Sequence, residues 1–209
     1  MTLKRIARIV GLILLCIIII GTIKIIPIVK EGYDLYRSAV ESTPITERVE
    51  AVRKTEGYIS INDISEPFIE ALIESEDHRF FDHNGISLVA TGRALLSNIQ
   101  ARSTVEGGSS LTQQLAKNLY FSFEKRYERK IAELFVAFEL EALYDKNEIL
   151  ELYCNIAYFG EGQTGLGNAS VYYYNVTADQ LSSEQIQVLV GTLKSPNYRN
   201  PNAIKKNTE

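Results

Sequence analysis

The stretch ESEDHRFFDHNG at residues 74–85 concentrates acidic side chains that could move a proton. Glu74, Glu76 and Asp77 fall within four residues. The helix-start signal SEP at residues 65–67, followed by an apolar face, places Glu76 and Asp77 on the last turn of a helix. Carboxylates there could act as a general acid or base, or they could be a solvated helix end. The pattern alone leaves both interpretations open.

Glu133 lies in a second charged stretch, ERKIAELFVAFELEALY. Arg129 and Lys130 precede it by four and three residues, so all three share one face of a helix. An exposed salt-bridge cluster would explain the spacing. However, this helix is apolar nearly all round and has little room for an idle carboxylate. We therefore expect Glu133 to lie in a cleft, held among cations.

Two further features could meet an anionic ligand. Arg93 is the single charge in ISLVATGRALL, and it either reaches water or points into an anionic site. The segment GGSSLTQQLAKN at residues 107–118 offers backbone and side-chain donors ahead of a helix, which suits phosphate oxygens. It lacks the ending of a nucleotide P-loop, and a flexible linker would have a similar composition.

The first 30 residues predict a membrane anchor. Three cations precede an apolar run over residues 9–23 that extends to residue 29, enough to cross a hydrocarbon core of roughly 30 Å. A cleaved signal peptide is the alternative, but its apolar region is usually shorter and ends in small residues. The basic flank favours a cytoplasmic N-terminus, with the residues after position 30 outside.

The whole-chain composition predicts one working domain behind this anchor. With 209 residues and a net charge of −4, the chain is too short for two domains after an anchor and too acidic for a nucleic-acid binder. Cys16 lies inside the apolar run and Cys154 in a helical pattern of the domain, so a disulfide between them is implausible. No cysteine cluster suggests a metal. We divide the chain into an anchor (1–30), a polar connector (31–58) and a mainly α domain (59–209), with a short strand around Ile59 and Ile61.

Four motifs resemble those of the peptidoglycan glycosyltransferases, which occur as monofunctional enzymes and as the N-terminal module of class A penicillin-binding proteins. EDHRFFDHNG is similar to the family's E-D-x-x-F-x-x-H-x-G, and GGSSLTQQLAKN to G-G-S-T-x-T-Q-Q-x-x-K-N. RKIAELFVAFELE is similar to R-K-x-x-E, and KNEILELYCNIAYFG to I-L-E-x-Y-x-N-x-x-Y-F-G. The motifs occur in the family's order and cover residues 59–201.

The resemblance implies a lysozyme-like, mainly helical domain with two lobes around a cleft near the outer membrane leaflet. It implies polymerisation of lipid II into β-1,4 glycan strands with inversion and release of undecaprenyl pyrophosphate. Its partners would be lipid II, the growing glycan, the membrane and other proteins of cell-wall synthesis or division. No cofactor is obligatory, although a divalent cation, Mg or Mn, could sit at the donor pyrophosphate.

By the same resemblance, Glu76 is the base that takes the proton of the acceptor hydroxyl, with Asp77 as its helper. Glu133 assists departure of the pyrophosphate, directly or through a bound cation. The remaining residues carried over are the cations around the pyrophosphate and the polar residues that line or shape the cleft: Arg93, Lys117, Arg129 and Lys130, and Ser109, Gln113, Gln114 and Asn118. Phe80, Phe81 and His83 are expected to pack at the helix end beside Glu76.

Two departures from the family pattern keep other functions open. Ser110 stands where the family usually has Thr. After SPNYRNP the family continues with an arginine-containing helix, R-R-x-x-V-L, whereas this chain continues NAIKKNTE, with Lys205 and Lys206 as the candidates for that role. The alternatives are a non-catalytic scaffold that binds lipid II or a division partner, and a lysozyme-like enzyme that cleaves finished glycan.

Overall fold

The structure is a computed structural model that describes residues 3–101, 107–121 and 126–208. The helices are α1 (Leu3–Ser42), α2 (Ile45–Arg53), α3 (Glu66–Glu76), α4 (Leu88–Ala101), α5 (Leu111–Tyr120), α6 (Tyr127–Leu143), α7 (Lys146–Ile156), α8 (Leu166–Tyr174), α9 (Ser183–Leu193), α10 (Pro196–Arg199) and α11 (Pro201–Thr208). The described residues contain no strand beyond an isolated bridge between Tyr158 and Thr164. The prediction of a mainly α fold is confirmed.

Helix α1 contains the expected apolar segment. By length and composition, the span Val10–Ser42 could cross a membrane, and its most apolar window is not buried by the rest of the protein. The helix does not end with the apolar run: it continues through the polar residues 31–42 to Ser42, where Thr43 and Pro44 separate it from α2. The second half of α1 packs along α6, so residues 31–42 are part of the folded unit.

The core is built around α5 and α7, whose inner faces are fully buried. Leu111 and Leu115 of α5 and Ile149 and Leu152 of α7 have no exposed surface. Helix α5 packs on both α6 and α7, and α3 packs on α9. Burial of a large aliphatic side chain is worth about 1.5–3 kcal/mol, so this apolar contact is the main force that holds the helices around the site.

Capping boxes start three of the helices and fix where they begin. Ser110, Asp145 and Ser182 each accept a hydrogen bond from the backbone N–H three residues later, and the side chain at that later position bonds back to the cap's own N–H. The sequence spacings D-x-x-E at residues 145–148 and S-x-x-Q at residues 182–185 are typical of a capping box, and the structure confirms a helix start at each. At Ser110 the partner is Gln113, which places one of the predicted site residues in a cap.

The prediction of a short strand around Ile59 and Ile61 is wrong. Residues Ile61–Asp63 form a single turn of 3₁₀ helix, and the backbone before it is held by side chains of α7. Asn155 accepts from the N–H of Ile59 at 2.9 Å and donates to its carbonyl at 2.8 Å, and Glu151 accepts from the N–H of Ile61 at 2.7 Å. An amide side chain supplies the donor and acceptor that a neighbouring strand would otherwise supply, so extended backbone forms without a sheet.

Candidate active site

A cavity of about 500 Å³ lies where α3, α4, α5 and α9 meet. Its lining includes five residues to which the family resemblance gives a role in the site: Glu76, Asp77, Arg93, Ser109 and Gln114. Glu74, Ser75, His78, Gly107, Leu193 and Lys194 complete it. Helix α3 ends at Glu76, as the sequence predicted, so the carboxylate stands at the end of a helix beside the cavity.

The Glu76 carboxylate is held by a short chain of hydrogen bonds. The side-chain amide nitrogen of Gln114 donates to Oε2 of Glu76 at 3.1 Å, and the Tyr153 hydroxyl donates to the amide oxygen of Gln114 at 3.1 Å. The hydroxyl of Ser75 donates to the other carboxylate oxygen at 3.3 Å. Donors to both oxygens fix the carboxylate in place, which a proton acceptor requires.

Tyr153 lies beneath this chain with 2% of its surface exposed. Burial raises the pKa of Tyr153 well above its usual value, and the nearby Glu76 carboxylate raises it further. The phenol therefore keeps its proton at every ordinary pH. Because a protonated phenol can donate to the amide oxygen of Gln114, it turns the amide nitrogen towards Glu76.

The Asp77 side chain is buried and has its own hydrogen-bond partners. Its Oδ2 accepts from the backbone N–H of Leu111, at the start of α5, at 3.0 Å. The same carboxylate lies 3.0 Å from Nε2 of His83, whose side chain is also largely buried. Asp77 thereby ties the end of α3 to the start of α5, the helix that carries Gln114.

Ser110 and Gln113 are buried at the start of α5 and do not line the cavity. Gln113 is buried and its amide oxygen accepts from the N–H of Ser110, completing the capping box. The Ser110 hydroxyl donates to the carbonyl of Gly85 at 2.5 Å. Serine at this position, where the family usually has threonine, keeps the hydroxyl. That hydroxyl makes the helix cap and a hydrogen bond to the loop after His83.

Glu133 is buried, with 1% of its surface exposed, and it is held by two cations. The Arg129 guanidinium lies 3.2 Å from Oε1 and the Lys130 ammonium 2.9 Å from Oε2. Lys130 also donates to the hydroxyl of Ser109 at 2.7 Å. Ser109 and Glu76 line the same cavity, so Ser109 connects the cationic group of α6 to the cavity that contains the Glu76 carboxylate.

A second cavity of about 440 Å³ continues the cleft on the other side of Lys194. Its lining includes Lys117, the exposed Asn118 and Tyr153, and it shares Leu193 and Lys194 with the first cavity. Burial lowers the pKa of Lys117, an effect that the charge of Glu133 opposes and those of Lys130 and Arg129 reinforce. The charge of Lys117 therefore interacts with the charges of Arg129, Lys130 and Glu133 on α6.

Comparison with known proteins identifies the family of this chain. The family model described as transglycosylase matches residues 42–209, most of the chain. The chain belongs to the transglycosylase family, that of the peptidoglycan glycosyltransferases. The boundary of the match falls at the end of α1, so it includes every residue of the two cavities.

Relatives of two kinds share this transglycosylase sequence. A monofunctional glycosyltransferase of Staphylococcus saprophyticus is 37% identical over 169 residues, which cover 78% of this chain and 62% of that protein. Penicillin-binding protein 1B of Haemophilus influenzae is 47% identical over 137 residues, 64% of this chain and 18% of that protein. Penicillin-binding protein 1F of Bacillus subtilis is 42% identical over 143 residues, 68% of this chain and 20% of that protein. The chain thus spans about a fifth of these penicillin-binding proteins.

Sequence reasoning missed two residues of this candidate site. Helical spacing alone places Tyr153 on the apolar face of α7, with Ile149, Leu150 and Ile156, and its position in the motif KNEILELYCNIAYFG was the signal that could have marked it. Lys194, the residue at the end of α9, lies between the two cavities and carries an exposed ammonium. Among the aromatic residues expected to pack, Phe80 is buried, but Phe81 is 59% exposed and only borders Phe80.

The basic end of the chain forms the last helix. Helix α11 carries Lys205 and Lys206 in its final turn, both exposed. Lys206 borders a third cavity with Tyr158, Glu161 and Tyr198. The cations suggested as replacements for the family's arginine-containing helix are therefore on a helix.

Among the described residues, the side chains around Glu133 do not form a set of ligands for a divalent cation. No group of three or more His, Cys, Asp or Glu side chains that could hold a metal occurs in the described parts of the chain. Glu133 is already paired with Arg129 and Lys130. A Mg or Mn ion would have to take most of its ligands from substrate phosphates and water, which is common for magnesium.

Proposed function

We propose that this chain is a membrane-anchored peptidoglycan glycosyltransferase that polymerises lipid II and releases undecaprenyl pyrophosphate. The observation that carries the proposal is the link through Ser109, which lines the cavity of Glu76 and binds Lys130 of the buried Glu133 group. A proton acceptor and a cluster of cations at one cleft are the two parts that glycosyl transfer from a pyrophosphate requires.

Glu76 acts as the general base. Its carboxylate takes the proton from the 4-hydroxyl of the acceptor sugar while that oxygen forms a bond to the anomeric carbon of the donor. Gln114 and Ser75 hold the two carboxylate oxygens, so the proton acceptor does not have to be ordered when the substrate binds. Attack from the face opposite the leaving group inverts the anomeric carbon.

The bond from the anomeric carbon to the pyrophosphate oxygen breaks in the same step, and its electron pair remains on that oxygen. Arg129, Lys130 and Lys117 stabilise this developing negative charge, with Arg93 at the cavity wall. Fixed cations contribute most where charge appears in the transition state. Glu133 holds Arg129 and Lys130 in position and keeps this buried group from carrying a large net positive charge.

Membrane attachment follows from α1. The apolar part of the helix spans the bilayer, with the basic N-terminus in the cytoplasm and the helical domain outside. The lipid-linked substrate is then held in the same bilayer as the enzyme. The growing glycan strand and other proteins of cell-wall synthesis are the further partners.

The decisive experiment compares Glu76→Gln with Glu74→Gln in the full chain, in detergent, with lipid II as substrate. Both residues line the same cavity, but Glu74 is exposed and outside the hydrogen-bonded chain. A general base is worth on the order of a hundred-fold or more, so Glu76→Gln should lose polymer formation by at least that factor. Glu74→Gln should retain it.

The products separate the other two functions. Binding of lipid II without any polymer from the unmodified chain would show a non-catalytic scaffold. Shortened muropeptides from finished glycan would show a lysozyme-like hydrolase. Polymer formation that survives Glu76→Gln would overturn the assignment of the base, provided that circular dichroism shows equal folding of both variants.

A further inference from the structure

Helix α1 and helix α6 approach each other closely at one glycine. A Cβ atom added at Gly32 would lie 2.5 Å from Cβ of Ile131 and 2.7 Å from the backbone oxygen of Glu128. Real side chains essentially never come this close. The two helices can therefore pack at this distance only with glycine at position 32.

A second set of contacts lies one turn further along both helices. The ring of Tyr36 stacks on Phe135 with centroids 5.4 Å apart, and its hydroxyl donates to Glu139 at 2.7 Å. Tyr33 meets the same Phe135 ring edge-on at 5.1 Å. Moving from Gly32 to Tyr36 advances the partner from Ile131 to Phe135 and Glu139, so α1 and α6 run in the same direction.

The face of α6 that meets α1 is opposite the face that carries the site. Residues 128, 131, 135 and 139 recur at helical spacing and form one stripe, whereas Arg129, Lys130 and Glu133 form another. At about 100° per residue, the centres of the two stripes are roughly 150° apart around the helix. Helix α6 is thus held between the anchor helix and the cleft.

The contact at Gly32 also determines which part of α1 lies beside the first residues of α6. The apolar run of α1 ends at Val29, three residues and about 4.5 Å before Gly32. Because Gly32 abuts Glu128 and Ile131, the first residue of α6, Tyr127, comes level with the end of the apolar run. Tyr127 is 78% exposed, and the side chain of Arg126 beside it is 61% exposed. Tyrosine and arginine are residues typical of the membrane–water boundary.

We propose that the α1–α6 contact sets the depth of the catalytic domain at the membrane. The N-terminal end of α6, with Arg126 and Tyr127, rests against phospholipid headgroups, and Gly32 and Tyr36 are positioning residues that hold it there. Arg129 and Lys130, one turn further on, then lie just above the headgroup plane. That this height serves a lipid-linked pyrophosphate rests on the proposed function, whereas the depth itself rests only on insertion of α1 into the bilayer.

The absence of tryptophan from the sequence allows a direct measurement of depth. Tyr127→Trp gives the full chain a single tryptophan at the start of α6, and Leu143→Trp gives one at its other end, 49% exposed and about 24 Å away. Each variant is reconstituted into phosphatidylcholine–phosphatidylglycerol vesicles with acyl chains brominated near the headgroup. Tyr127→Trp should be quenched and Leu143→Trp should not. Equal quenching of both, or of neither, would overturn the proposal.

Glycine 32 is tested in the Tyr127→Trp background against a second glycine of α1. Gly32→Leu should separate the helices and reduce the quenching, whereas Gly21→Leu, with nothing within 4 Å of an added Cβ, should leave it unchanged. Tyr36→Phe, which removes only the hydrogen bond to Glu139, should give a smaller change and covers the case in which Gly32→Leu does not fold. Quenching that survives both Gly32→Leu and Tyr36→Phe would refute their positioning role.

An activity measurement separates this inference from the proposed function. Gly32→Leu should lower polymer formation from lipid II in vesicles several-fold more than polymer formation in detergent, where no bilayer fixes the depth. An equal loss in both would argue against positioning by depth. If the unmodified chain makes no polymer at all, the proposed function fails, while the quenching result still decides the depth of α6.

Discussion

Tyr153 and Glu76 bind opposite ends of one amide group, that of Gln114, at 3.1 Å each. The three side chains come from α7, α3 and α5, so the position of the carboxylate depends on the packing of three helices. Because the phenol is buried and its pKa is raised, Tyr153 acts as a permanent donor. The amide then has one favourable orientation, with its nitrogen towards Glu76.

Tyr153→Phe should lower the turnover number about ten-fold while KM changes little. The substitution removes one hydrogen bond, worth about 1 kcal/mol, and leaves the Gln114 amide free to turn. Tyr120→Phe is the matched control, because its hydroxyl also makes one part-buried hydrogen bond, to the carbonyl of Thr43, but away from the cavity. Steady-state kinetics on lipid II should separate the two, and equal turnover in both variants would show that Tyr153 has only a structural role.

Two Arg–Glu pairs at spacing i, i+4 among the described residues should differ sharply in their contribution to stability. In Arg129–Glu133 the carboxylate is 1% exposed, whereas in Arg37–Glu41 both side chains are at least half exposed. Removing one partner of a buried pair leaves an uncompensated charge, so Glu133→Gln should cost on the order of 3 kcal/mol. Glu41→Gln should cost about 0–0.5 kcal/mol. Thermal unfolding in detergent measures both; a loss for Glu133→Gln as small as that for Glu41→Gln would mean that its burial is not stabilising.

These pairs show what the sequence could predict. Arg129, Lys130 and Glu133 meet because they are neighbours on one helix, and helical spacing alone brings them together. The end of α3 at Glu76 and the caps at Asp145 and Ser182 are local in the same sense. Local rules are visible in a sequence, since only a few residues decide them.

Contacts between distant segments could not be predicted in this way. Gln113 and Gln114 are chemically identical neighbours, yet one completes a helix cap and the other binds Glu76. Tyr153 reaches that site across 39 residues, and Asn155 bonds to Ile59 across 96. Which side of a helix faces which neighbour depends on the packing of the whole domain, and periodicity gives only the apolar side.

The glycines in the turn after α7 should respond differently to alanine. Gly160 and Gly162 both have positive φ, 88° and 80°, so alanine is strained at either position by about 1–2 kcal/mol. An added Cβ at Gly160 would also lie 2.3 Å from the backbone oxygen of Pro196. At Gly162, no heavy atom of another described residue lies within 4 Å of an added Cβ. Gly160→Ala should therefore be the more destabilising variant.

The same substitution should affect the cleft. Gly160 follows α7, the helix that carries Tyr153, and lies against the backbone of Pro196, the first residue of α10. Pro196 borders the second cavity. Gly160→Ala should lower turnover as well as the unfolding temperature, and Gly162→Ala should lower the unfolding temperature alone. Equal unfolding temperatures for the two variants would show that the turn shifts freely away from Pro196.

Cys154 should make the stability of the domain depend on alkaline pH. Burial raises the pKa of its thiol from 9.0 to about 12, with a smaller contribution from Glu151. The folded protein therefore keeps the proton at pH values where the unfolded chain has lost it. The contribution is fully present below pH 9, and it decreases as the pH rises from there towards about 12, by about 1.4 kcal/mol per pH unit.

The Cys154 contribution can be isolated by comparing variants. Several tyrosines, including Tyr58 and Tyr120, also have raised pKa values and will weaken the fold at higher pH, so the slope of the unmodified chain alone is not specific. Cys154→Ala should show a shallower fall in unfolding free energy between pH 9 and 11, whereas Cys16→Ala should match the unmodified chain. A thiol buried in this way should also resist maleimide at pH 8 until the domain unfolds, because the thiolate is the reactive form. Rapid labelling of Cys154 in the folded protein would contradict both expectations, since it would require an accessible thiolate in the core formed by α5 and α7.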